Sequence, residues 1–72
     1  MRYMVVIEKG ATSYGAFVPD LPGCIAAGKT EADALELIHE AVQLHLEELR
    51  LCGNPIPEPA SKCMFVEIGL AA

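Results

Sequence analysis

Pro19-Asp20-Leu21-Pro22-Gly23-Cys24, set directly behind the alternating run Tyr14-Gly15-Ala16-Phe17-Val18, decides how this chain folds. The run has the period of a strand. Pro19 and Pro22 each fix φ and remove a backbone donor, so the strand ends there and the chain turns, with Gly23 free to take a positive φ. Ile25 to Gly28 is then short enough to return as another antiparallel strand. Upstream, Tyr3 to Glu8 is apolar on both alternate sets, as in a strand covered on both faces or placed centrally, and Gly10 to Ser13 supplies the turn into the hairpin.

Downstream, Thr30 can cap a helix, Asp33 sits three positions on in an approximate capping box, and apolar residues recur at helical spacing. The pattern predicts a helix from Glu31 to Leu51, with Arg50 near the negative end of its dipole and Gly53 just past its last turn. At about 100° per residue, Ala34, Leu35, Ile38, Ala41, Val42, Leu46 and Leu49 share a broad stripe for the sheet to cover. Leu37, Leu44 and Leu51 recur every seventh residue well off that stripe. Two readings of them stand: the proline-rich linker or the tail folds over them, or they form an oligomer seam. Asn54 to Pro59 is the linker. Lys62 to Ile68, where Met64, Val66 and Ile68 alternate with Cys63, Phe65 and Glu67, reads as a final strand.

These residues resemble the HicB antitoxins of bacterial and archaeal toxin–antitoxin pairs, including their small stand-alone relatives. The matching positions are Tyr14, Ala16, Val18 to Cys24, Gly28, Thr30, Ala34, Leu35, Glu40, Ala41, Leu44, Leu46, Leu49, Gly53, Ile56, Pro57 and Pro59. The resemblance implies an α+β fold of order β-β-β-α-β, a partial ribonuclease-H-like architecture. Three antiparallel strands and a fourth strand would carry one long helix on one face. It also implies a non-catalytic antitoxin that covers a small basic RNA-cleaving toxin of the HicA type. The alternative is a stand-alone oligomeric scaffold or binding module with no toxin. Two departures from the family stand out. Lys29 stands where an acidic residue is frequent before the capping threonine, and the sequence reaches Ala72 straight after the expected last strand, so operator binding is not expected from this chain alone.

Composition narrows the function. At 72 residues the chain is a single domain, 1–72, with a small core, yet 53% of its residues are apolar. Some of that surface is therefore expected to meet another copy, in a homodimer, homotetramer or other even-numbered assembly. No run approaches the roughly 20 apolar residues of a membrane span, and the apolar N-terminus breaks at Glu8 and Lys9, so a cytoplasmic protein is expected. Glu31, Asp33, Glu36, Glu40, Glu47 and Glu48 against Arg50 place the entire net charge of −5 on the helix. Such a surface repels phosphate and suits a basic partner, so direct nucleic-acid binding is not expected. The residues assigned to that partner are Pro19, Asp20, Leu21 and Pro22, read as an exposed turn, with Glu36 and Glu40. An oligomer interface is assigned to Leu37, Leu44, Leu51 and Phe65.

Enzymatic readings find little to stand on. His39 and His45 are six apart on the helix and cannot form a one-face metal pair, and Ser13 and Ser61 lack a patterned histidine or glycine elbow. Cys24, Cys52 and Cys63 have the spacing of neither a disulfide framework nor a zinc cluster and read as three small buried thiols. Glu8 and Glu67 are the only carboxylates on expected strands, too few to hold the two metal ions of a ribonuclease of this fold. No catalytic residue, metal or cofactor is assigned.

Overall fold

The computed structural model describes residues 1–71 as an α+β unit of β1 (Val6–Lys9), β2 (Tyr14–Phe17), β3 (Ile25–Gly28) and α1 (Glu31–Leu51). The strands form one antiparallel sheet in the order β1-β2-β3, with Ile7, Ala16 and Ala26 in one cross-strand row and Val6, Phe17 and Ile25 in the next. Successive residues of a strand face opposite sides, so the first row lies under the helix and the second on the bare face. The burial follows: Ala16 is buried and Ile7 and Ala26 pack against it, whereas Phe17 and Ile25 are exposed.

β1 is shorter than the alternating sequence predicts, and the turn explains why. Val6 pairs with Phe17, the last residue of β2, so Tyr3 to Val5 would need a partner beyond Phe17, where the chain has already turned. Val18 faces β3, its amide donating to the Cys24 carbonyl at 3.2 Å, and Pro19, the next residue placed to face β1, has no N–H to give.

The helix begins and ends as its sequence requires. The Asp33 amide donates to Thr30 Oγ1 at 3.0 Å, with Thr30 in extended backbone. At the other end the Asn54 amide donates to the Leu49 carbonyl and the Gly53 amide to the Arg50 carbonyl, with Gly53 at φ +73°. This pair of bonds satisfies the last carbonyls only if the residue after the cap takes a left-handed conformation. The helix start presses against the end of β3. A Cβ on Gly28 would lie 2.6 Å from the Ala34 amide nitrogen and 2.9 Å from the Asp33 carbonyl carbon.

The core comprises Ala16, Val18, Leu21, Cys24, Ala34 and Ile38, with Tyr3, Val5, Ile7, Tyr14, Ala26, Ala41, Val42 and Leu46 around it. Three expectations need correction. Leu35 is 53% exposed, because the helix lies mainly over β3 and β2 and reaches β1 least, which leaves that flank of the stripe uncovered. Only Cys24 is buried among the cysteines; Cys52 at the helix end and Cys63 on the tail are exposed. Residues 62–71 join no strand: the fourth strand expected at Lys62 to Ile68 does not pair with the sheet, and Met64, Phe65, Val66, Ile68 and Leu70 are all exposed.

The glycines separate backbone strain from steric clash. Gly23 stands at φ +83°, and a Cβ added there would meet nothing within 4 Å, so Gly23→Ala is expected to cost about 1–2 kcal/mol through conformation alone. Gly28→Ala is expected to cost about 1–3 kcal/mol through overpacking against helix backbone. Gly15→Ala, with open space and no positive φ, is expected to be neutral or to stabilise by about 0.4–1 kcal/mol. Urea unfolding of the three variants checks the order.

Candidate functional site

The Val18–Cys24 loop is two tight turns in series. The Leu21 amide donates to the Val18 carbonyl at 3.1 Å, and the Cys24 amide to the Leu21 carbonyl at 3.0 Å. Each turn has a proline in its second position, Pro19 and Pro22, where the fixed φ is already suitable. In the second turn Gly23 holds the third position with its positive φ, the arrangement that a type II turn demands. Leu21, shared by both turns, is driven inward and is fully buried.

This placement divides the expected recognition turn. Pro19 and Pro22 are exposed, as the sequence suggests, but Leu21 is a core residue and presents no surface to a partner. Asp20 is not a free recognition side chain either. Its Oδ2 accepts from the Ala60 and Ser61 amides, each at 3.0 Å, and its Oδ1 accepts from Ser61 Oγ at 2.8 Å. These bonds clamp the linker after α1 onto the loop, 40 residues distant in sequence. The Tyr3 hydroxyl donates to the Pro57 carbonyl and holds the same linker one strand earlier. Nothing local in the sequence announces either tie, because both join residues that come together only once the helix has returned to the sheet.

The electrostatics follow from these contacts. Hydrogen bonds from the Ser61 amide and hydroxyl hold the Asp20 carboxyl below its ordinary range, against the opposing effect of desolvation and with a lesser contribution from the Ala60 amide. Burial raises the Tyr3 phenol, with the negative charges of Glu58 and Asp20 adding to it. Burial also pushes up the Cys24 thiol, which keeps it protonated and unsuited to nucleophilic work.

Glu36 and Glu40 are exposed one helical turn apart. Of the two, Glu36 is set apart from the loop. Glu36 stands near Gly28 and Lys29 at the helix start, whereas the loop lies at the opposite end of β3, about 10 Å away along the strand. Leu37, Leu44 and Leu51 are exposed on the helix, and Phe65, 94% exposed, lies apart from them in chain on the tail. His39 is exposed and His45 half-buried. Among the described residues no group of three or more histidine, cysteine or acidic side chains is gathered to hold a metal ion. None of their helices is long and apolar enough to cross a membrane.

A feature with no sequence signature of its own is an apolar groove of about 790 Å³ between the N-terminal segment and the helix. Tyr3 and Val5 line one wall and Leu35, His39, Val42 and Leu46 the other. The helix residues follow a spacing of four, three and four, so they form one straight stripe.

Comparison with known proteins is consistent across the chain. The family model described as the HicB-like antitoxin of bacterial toxin–antitoxin systems matches residues 3–67. A UPF0150 protein of Thermoplasma acidophilum is 41% identical over 58 residues, covering 79% of this chain and 84% of that one. Another, from Helicobacter pylori, is 50% identical over 49 residues, 68% of each chain. Among solved structures, a chain of the HicA3 and HicB3 toxin–antitoxin complex superimposes with a TM-score of 0.67 at 34% identity, covering 82% of this chain and 72% of that one.

The clamp should respond to acid. Because the folded Asp20 carboxyl is lowered, its contribution is complete above the ordinary carboxylate range and is lost as the pH falls through the lower folded value. The amide signals of Ala60 and Ser61 in NMR spectra are therefore expected to titrate together with Asp20, at a pH below the ordinary aspartate range. Asp20→Asn is expected to abolish that titration and to speed amide exchange at both positions at neutral pH.

Proposed function

The chain belongs to the HicB-like antitoxin family, and from that premise we propose that it is the non-catalytic partner of a small basic RNA-cleaving toxin of the HicA type. Inhibition is by occlusion: the antitoxin covers the surface on which the toxin would take RNA. The observation that carries this reading is the likeness, at 34% identity and TM-score 0.67, to a chain of a toxin–antitoxin complex. The partial ribonuclease-H-like architecture belongs to the same reading, with the fold retained and the metal-binding carboxylates missing.

Charge supports the choice of partner. Six acids and one arginine lie on the helix, with all six acids exposed, and a toxin that takes RNA must present the opposite sign. Complementary fields raise the association rate and disfavour wrong partners. The loop contributes the exposed rings of Pro19 and Pro22, which Asp20 and Leu21 hold in place from outside and inside. The protein acts in the cytoplasm, where its partner's RNA substrate is, and binds no nucleic acid directly. A stand-alone oligomeric module is the second reading. The exposed leucines Leu37, Leu44 and Leu51, with Phe65, favour it.

Titration of the purified chain into the toxin tests the proposal. One equivalent is expected to stop RNA cleavage. Reversal of the exposed pair with Glu36→Lys and Glu40→Lys is expected to weaken binding by about tenfold at low salt, a gap that narrows as ionic strength rises past about 0.15 M. Affinity unchanged by the reversal would remove the helix from the interface.

A further inference from the structure

The tail and the groove are each incomplete in one chain, and they match. From Lys62 onward every described residue is exposed, including Met64 at 81%, Val66 at 80%, Ile68 at 72% and Leu70 at 88%. The chain's radius of gyration is 14.8 Å and its longest extent 55 Å against 27 and 17 Å. A compact domain of this length would have a radius near 11 Å, so the tail projects from the body. Its alternation is nevertheless that of a strand with one face apolar from Met64 on, since Met64, Val66, Ile68 and Leu70 share the side that Lys62 begins and Glu67 lies on the other.

The groove has the complementary shape. β1 is an edge of the sheet, so one side of its backbone lacks partners. The helix stripe over that edge is only half covered: Ala34 and Ile38 are buried, yet Leu35 is 53% exposed. A further strand beside β1 would use the free backbone groups and close the groove with its apolar face. The run from Tyr3 to Lys9 is as long as the run from Lys62 to Ile68. The opposite alternate set would then bring Phe65 onto the bare face, beside the exposed row of Phe17 and Ile25.

The chain's own tail is directed away from this place. The linker meets Tyr3 at Pro57 and then moves inward across the sheet end to Asp20 at Ala60 and Ser61. The root of the tail is therefore fixed on the β2 side of the β1 segment. We propose that Lys62–Leu70 of one copy adds as a fourth strand to the free β1 edge of a second copy, with Met64, Val66, Ile68 and Leu70 in the groove, and that the exchange is reciprocal. This goes beyond the antitoxin reading and holds with or without a toxin. It commits the dimer to tail exchange instead of the helix leucines. A standard interface removes about 800 Å² from each partner, and each copy gives one apolar tail and receives another.

Light scattering and methyl NMR on mixed-label samples test it. Wild type is expected to show twice the 7.7 kDa chain mass, with contacts between Val66 or Ile68 methyls of one labelled copy and Val42 or Leu46 methyls of an unlabelled one. Truncation after Ser61 keeps the residues that bond to Asp20 and is expected to leave a monomer while the helical signal remains. The full-length double variant Val66→Asp with Ile68→Asp is expected to do the same. A monomeric wild type, a dimer that survives both changes, tail contacts confined to one copy, or a tail that orders only when toxin is added would each overturn the proposal.

Discussion

Burial of Leu21 between two consecutive tight turns is the constraint on which the rest of the structure depends. Strands of four residues over a single helix bury few side chains, and among the described residues only Leu21 and Ile38 are both large and fully enclosed. Leu21 reaches the core from a loop, so the loop must be held as firmly as a strand. Two prolines, the positive φ of Gly23 and the bond from the Val18 amide to the Cys24 carbonyl hold it. That bond carries the pairing of β2 with β3 up to the turn, and Pro19, with no N–H, ends the pairing with β1.

The outside of the loop depends on the inside. With Leu21 seated, Asp20 is turned outward and becomes the anchor for a linker that returns from the far end of the helix. Its three hydrogen bonds to Ala60 and Ser61 set where the tail leaves the body. The exposed Pro19 and Pro22 are presented by the same device. One short loop thus links core packing, the route of the C-terminal segment and the exposed rings of Pro19 and Pro22, while Glu36 at the helix start stands a strand length away.

Much of this was legible in the sequence because local chemistry dictates it. Ile25 to Gly28 and Glu31 to Leu51 form as read, since a proline-rich turn, a threonine cap and a glycine after the last turn punctuate the chain without help from tertiary structure. The positive φ of Gly23 is of the same kind. What was not legible depends on distant partners. The exposure of Leu35 follows from where the helix sits across the sheet, which periodicity does not specify. The role of Asp20 depends on residues 40 and 41 positions away. The alternation of Lys62 to Ile68 states that a strand can form there but not which edge will receive it.

Replacement of Leu21 by alanine, followed by equilibrium unfolding and amide exchange, tests the central claim most directly. Deletion of a fully buried leucine typically costs about 2–5 kcal/mol, a large part of the roughly 4–11 kcal/mol expected for a domain of this size. If the loop is held by its buried leucine, the variant loses that much stability, and the Val18, Cys24 and Ser61 amides lose their protection together. A loss within about 0.5 kcal/mol, or a Ser61 amide that remains protected, would show that the loop and the linker clamp do not depend on Leu21.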